Sequence, residues 1–144
     1  MVNIRTSVTV DERRVAVWSD LADIDSHVEW MRDATAIRSP STAEFGVGTT
    51  FEADTVVGPI HLVDQMEITE WRPGEAMGVR HVGVVIGDGR FTLEELPSNR
   101  TRLVWHERLR FPWWLGGAIG ERIAAPMLRA LMRGNLRRFA ARHG

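Results

Sequence analysis

The chain of 144 residues contains no cysteine, no tyrosine and no lysine. Without cysteine there are no disulfides, no thiolate metal sites and no Cys nucleophile. Without lysine and tyrosine, Schiff-base chemistry on a side chain and Tyr acid/base chemistry are excluded as well. No apolar run approaches the ~18 residues of a membrane span. The opening MVNIRTSVTV alternates and lacks the continuous apolar stretch of a signal peptide. A cytoplasmic protein without stable membrane insertion is therefore expected. There is no GxGxxG or P-loop pattern, no G-x-S-x-G elbow, and no HxxxH or HxxE cluster. Nucleotide hydrolysis, serine-hydrolase chemistry and a metal site are not expected.

What is present is ordinary globular material, 44% hydrophobic and 26% charged, enough for one domain over residues 1–144. All eighteen basic residues are arginine, which fits a GC-rich bacterial genome. Residues 111–144 carry six Arg and one Glu, and the preceding residues carry the acidic surplus. A nearly neutral chain with a basic tail does not point to nucleic acid. A basic helix packed on an acidic sheet, its Arg side chains in water, is the expectation.

Residues 3–10 alternate like a half-buried strand. Asp11 is the expected N-cap of a short helix carrying Val15, Trp18, Leu21 and Ala22 on one face. A second helical turn is expected over 25–30. From residue 34 the period becomes two, with strands predicted at 34–39, 49–57, 60–71, 75–82, 85–96 and 101–110. GDGR at 87–90 reads as a turn or bulge in a long strand. The segment 117–141 has helical spacing, with Ile119, Ile123, Met127, Leu128, Leu131, Leu136 and Phe139 on one side. Arg122, Arg129, Arg133 and Arg137 oppose them, and Pro126 should kink the helix or mark the start of its second part. The fold class is α+β: a seven-stranded antiparallel sheet curled round a long C-terminal helix, with two short helices after the first strand. One helix cannot fill the concave face of such a sheet, so an internal cavity is expected.

This pattern resembles the START-like (SRPBCC) superfamily, the helix-grip or birch-pollen-allergen-like fold. Within it the chain is similar to the bacterial polyketide cyclase/dehydrase and lipid-transport group. The resemblance is carried by TVDERRVAVWSDLADIDSHVEWM, GVGTTFEADTVVGPIHL, EITEWRPGEAMGVRH and the closing FPWWLGG with its helix. It implies a cavity that binds a hydrophobic small molecule, lipid or polyketide-like, with no cofactor. A minority of members cyclise or aromatise polyketides, so the resemblance leaves open whether the chain is an enzyme. It also leaves open a monomer or a homodimer.

Strand parity picks out the candidate chemistry. Leu103, Trp105, Glu107 and Leu109 share a face; Leu62, Asp64 and Met66 share another; Met77 and His81 share a third. An isolated charge on an apolar face is costly unless paired or protonated. His81, Asp64 and Glu107 are thus candidates for a cofactor-free acid/base set, or for buried polar groups that satisfy one another or hold a ligand's polar head. His61 and His106 have the opposite, solvent-facing parity. His27 and Glu29 flank the short helix near Trp30, where they are expected at a cavity mouth, with Trp30 a candidate ligand contact. Met66, Met77, Phe91, Trp105, Met127 and Leu131 are expected along the apolar wall. Trp113 and Trp114 precede a Gly116–Gly117 hinge, and three readings stand: an aromatic lid, a packing plug between strand and helix, or a membrane-interface contact beside the basic helix. A further alternative for the whole chain is an interaction module whose basic C-terminal helix docks on an acidic partner or membrane surface, which requires a filled interior and exposed tryptophans.

Overall fold

The computed structural model describes residues 1–39 and 45–143. Strand β1 (Val2–Val10) is followed by helix α1 (Arg14–Leu21) and a 3₁₀ turn over Ile24–Glu29. Six strands follow: β2 (Ala34–Arg38), β3 (Thr50–Val57), β4 (Ile60–Arg72), β5 (Ala76–Val82), β6 (Ile86–Leu96) and β7 (Arg100–Arg110). A short 3₁₀ turn at Trp113–Leu115 leads into helix α2 (Gly117–Ala141). The strands form one seven-stranded sheet in the order β1-β7-β6-β5-β4-β3-β2, every pair antiparallel. Bulges lie between Ala34 and Ala36 in β2 and between Ile68 and Glu70 in β4. Such irregularities add twist and help the sheet curl.

The α+β layout read from the periodicity, a seven-stranded antiparallel sheet with a long C-terminal helix and two short helices after the first strand, is the observed one. Local details differ. Asp11 is not a helix cap: α1 starts at Arg14 and has no side-chain cap. The reason is tertiary, since the fully buried Thr101 hydroxyl donates to the Glu12 carbonyl at 2.7 Å and ties that corner to β7. Val17 and Leu21 are the buried residues of α1 and Trp18 packs partly buried against the core, while Val15 is 72% exposed. GDGR lies inside β6, whose pairing with both neighbours runs on without a register shift. Gly87 has φ +140°, and a Cβ there would stand 1.9 Å from the Arg108 carbonyl oxygen. Glycine is needed because the β7 backbone comes this close.

Helix α2 divides by environment. Its C-terminal half anchors the fold through Met132, Leu136 and Phe139, all buried, together with the fully buried Asn135. Phe139 meets the Trp30 ring edge-on at 5.1 Å, and Trp30 in turn packs near Phe91 and Trp105. The N-terminal half leaves Ile119, Ile123 and Met127 half-exposed or more. Pro126 sits inside the helix, which continues on both sides of it. The charge arrangement also differs from a basic helix facing an acidic sheet. The sheet's acids pair with the sheet's own arginines: Arg38 with Glu52 and Asp54, Arg80 with Glu67, Arg90 with Glu70, Arg102 with Glu94, and Arg108 with Asp88. Exposed pairs of this kind contribute about 0–1 kcal/mol each. Arg122, Arg133 and Arg137 of α2 face solvent.

Candidate functional site

Between the sheet and the N-terminal half of α2 lies a cavity of about 570 Å³. Its walls are mostly apolar, with Leu62, Val85, Leu109 and Phe111 from the sheet side and Ile123, Met127 and Leu131 from the helix. A smaller cavity of about 100 Å³ continues inward past Met66, Met77 and Phe91. Asp33, Asp64, Trp105 and Glu107 line both spaces, so they mark the junction.

His81 is 7% exposed and sits between two carboxylates. Its Nδ1 is 3.0 Å from Asp64 Oδ1, and its Nε2 is 3.0 Å from Glu107 Oε2. The other Glu107 oxygen accepts from Trp105 Nε1 at 3.1 Å. The sheet register explains how residues on β5 and β7 meet across β6. His81 lies opposite Gly87, and Gly89 lies opposite Glu107. A Cβ on Gly89 would stand 2.5 Å from Glu107 Oε1. Gly89 therefore leaves the space that the Glu107 carboxylate occupies beside the imidazole.

Burial alone would lower the His81 pKa, but the Glu107 charge and the hydrogen bonds with Asp64 and Glu107 override it and raise the pKa to about 10. With both ring nitrogens facing carboxylates, His81 is an imidazolium at neutral pH that donates to both. The ring nitrogens point in opposite directions, so the trio does not converge on a point where a metal ion would bind. Among the described residues no group of three His, Asp or Glu side chains is so arranged.

Asp33 is a site residue the sequence reading missed. It lies in the loop between the 3₁₀ turn and β2, where no periodicity assigns a face. Its Oδ1 accepts from Asn135 Nδ2 at 2.9 Å. Asn135 Oδ1 accepts from the Arg32 backbone N–H at 3.1 Å and from Arg138, which also donates to the Trp30 carbonyl at 3.0 Å. This network hangs the loop on α2. Desolvation raises the Asp33 pKa, partly countered by the Asn135 hydrogen bond.

Asp64, His81, Trp105, Glu107, Met127 and Leu131 are brought together on the larger cavity, and Met66, Met77 and Phe91 on the smaller one. Trp30 is not at a mouth: it is 1% exposed and held in an aromatic cluster with His27, Phe91, Trp105 and Phe139. His27 is buried too, with Nε2 2.7 Å from the Leu21 carbonyl, whereas Glu29 is exposed beside Arg142. His61 is exposed, and His106 pairs with Asn3 on the outer face. Trp113 and Trp114 are 86% and 55% exposed and line neither cavity. They are thus neither a plug nor, in this conformation, a lid. The walls next to them are supplied by Phe111, Leu115 and Gly116, because Pro112 and the positive φ of Gly116 and Gly117 turn the chain so that both indoles point outward. Exposed tryptophans go with the interaction-module reading, but the filled interior that reading requires is absent.

The family model described as polyketide cyclase / dehydrase and lipid transport matches residues 1–144. Among solved structures, a protein of Thermus thermophilus superposes with a TM-score of 0.75 at 13% identity, covering 99% of each chain. The Zhui aromatase/cyclase from Streptomyces sp. R1128 superposes with a TM-score of 0.72 at 19% identity, covering 98% of this chain and 92% of its own. The di-domain ARO/CYC StfQ from the steffimycin biosynthetic pathway gives 0.78 at 14% identity, covering 99% of this chain and 50% of the longer one. At these identities the likeness is one of fold. No curated protein matches the chain.

Proposed function

From the premise that the chain belongs to the polyketide cyclase/dehydrase and lipid transport family, we propose that it binds a hydrophobic small molecule between the sheet and α2. The apolar body of the ligand lies along the outer cavity, and its polar end meets Asp33, Asp64, His81 and Glu107. The observation that carries this reading is the cavity itself: about 570 Å³, apolar along most of its wall, with its titratable groups gathered at one place. Pockets of this size and lining bury most of a small ligand's surface. Ala124 faces the cavity from the exposed half of α2. Ala124→Trp is expected to weaken binding of an apolar fluorescent probe by about 10-fold or more, since filling the cavity removes its apolar contact area. The melting temperature should not fall. Unchanged probe affinity in a folded variant would overturn the reading.

The convergence of the four titratable groups on one cavity favours a second reading, cofactor-free proton transfer. A β-hydroxy ketone bound here would lose its α-proton to Asp64 while Asp33, whose raised pKa suits a proton donor, protonates the departing hydroxyl. The C–H and C–O bonds break, a C=C bond forms and water leaves. His81 is a poor base in this scheme because both ring nitrogens are engaged. In heavy water, a bound ketone should exchange its α-hydrogen faster with the wild type than with Asp64→Asn. Equal exchange leaves binding as the whole function.

A further inference from the structure

We propose that the polar end of the cavity selects a ligand whose buried head group is an uncharged or cationic hydrogen-bond donor, such as a hydroxyl, phenol or amine, and rejects a carboxylate. This rests on the ligand-binding reading above.

A count of donors carries the inference. The N–H groups that reach the polar end are already used by the protein's own carboxylates. His81 Nδ1–H goes to Asp64, His81 Nε2–H and Trp105 Nε1–H go to Glu107, and Asn135 Nδ2–H goes to Asp33. The Thr55 hydroxyl, also in the cavity wall, donates or accepts equally well. Lone pairs remain on Asp64, whose side chain is 24% exposed, and on the second oxygen of Asp33 when ionised; when Asp33 is protonated, its O–H can donate. The site thus offers chiefly acceptors.

Charge points the same way. None of the eighteen arginines lines the cavity. Two carboxylates share one imidazolium, so the trio carries a net negative charge, and Asp33 adds either nothing or a further negative charge. A ligand carboxylate would be desolvated beside like charge with no free cationic donor to meet it. An ammonium or hydroxyl would instead gain a charge-assisted hydrogen bond to Asp64.

The test is displacement of an apolar fluorescent probe at neutral pH by dodecylamine, dodecanol and dodecanoate, each below the concentration at which it self-associates. Ala124→Trp, run in parallel, subtracts binding outside the cavity. Dodecylamine and dodecanol should displace the probe at concentrations about 10-fold or more below that of dodecanoate, the ratio expected for one charged hydrogen bond gained against one refused. Asp64→Asn turns an acceptor into an acceptor–donor and should narrow the ratio. Dodecanoate binding as tightly as dodecanol would overturn the inference while leaving the cavity's function intact. If no chain displaces the probe from the wild type, or the probe does not bind at all, the ligand-binding reading fails and this one with it.

Discussion

Replacing His81 by alanine is expected to lower the unfolding free energy by about 3–5 kcal/mol, the cost of removing one partner from a buried ion pair. His81 and Glu107 are 7% and 8% exposed, and Asp64 adds a second carboxylate at 3.0 Å from the ring. Without the imidazolium, two carboxylates face one another across the space the ring vacates, with the Trp105 N–H still donating to Glu107. The loss should come from the stranded charges more than from the missing ring. The triple variant His81→Ala, Asp64→Asn, Glu107→Gln should therefore regain a large part of the stability, because neutral amides tolerate burial that ionised carboxylates do not. Urea unfolding of the three proteins, with comparable slopes, measures both differences. A single variant that loses less than about 1 kcal/mol would mean that water reaches the cluster freely, as it does at exposed pairs.

That the cluster was partly legible in sequence follows from strand geometry. A period of two puts every second side chain on the same face, so Glu107 among Leu103, Trp105 and Leu109 announces itself as the odd member, and so do Asp64 and His81 on their strands. What parity does not supply is register. His81 and Glu107 meet across β6, where Gly89 leaves room for the Glu107 carboxylate, while Gly87, opposite His81, is glycine because the Arg108 carbonyl comes close. The dipeptide steps of GDGR look like a turn because glycine is commonest in turns; here the same residue answers a close approach of two strands. Asp33 and Trp30 were out of reach for another reason. Both sit in the irregular segment after the 3₁₀ turn, and their environments are set by Asn135, Arg138 and Phe139, more than a hundred residues later. The outward tryptophans belong to a connector, where no period exists to say which way a side chain points.

The stability of the wild type should fall by about 3 kcal/mol as the pH drops from 6.5 toward 4, at about 1.4 kcal/mol for each unit by which the folded and unfolded pKa values differ. The group responsible is His27. Burial holds its pKa down at about 4, against the opposing pull of the Leu21 carbonyl, while the unfolded chain titrates near 6.5. Between those values the unfolded state binds the proton and the folded state does not. The contribution is complete above pH 6.5, shrinks as the pH falls, and is gone below about 4. His81 works in the opposite window. Its folded pKa is raised to about 10, so its contribution is complete below 6.5 and is lost as the pH rises toward 10. Asp54, Glu70 and Asp88, held low by their arginine partners, add an acid limb of their own, but below the ordinary carboxylate range. The two acid limbs are therefore separable. His27→Gln keeps an N–H donor for the Leu21 carbonyl and has no proton to take up. Its unfolding free energy, measured in urea from pH 7 to 5, should stay nearly flat where that of the wild type declines. A variant that declines in parallel with the wild type over that interval would move the acid sensitivity from His27 to another group, and with it the claim that the aromatic cluster round Trp30 admits only a neutral imidazole.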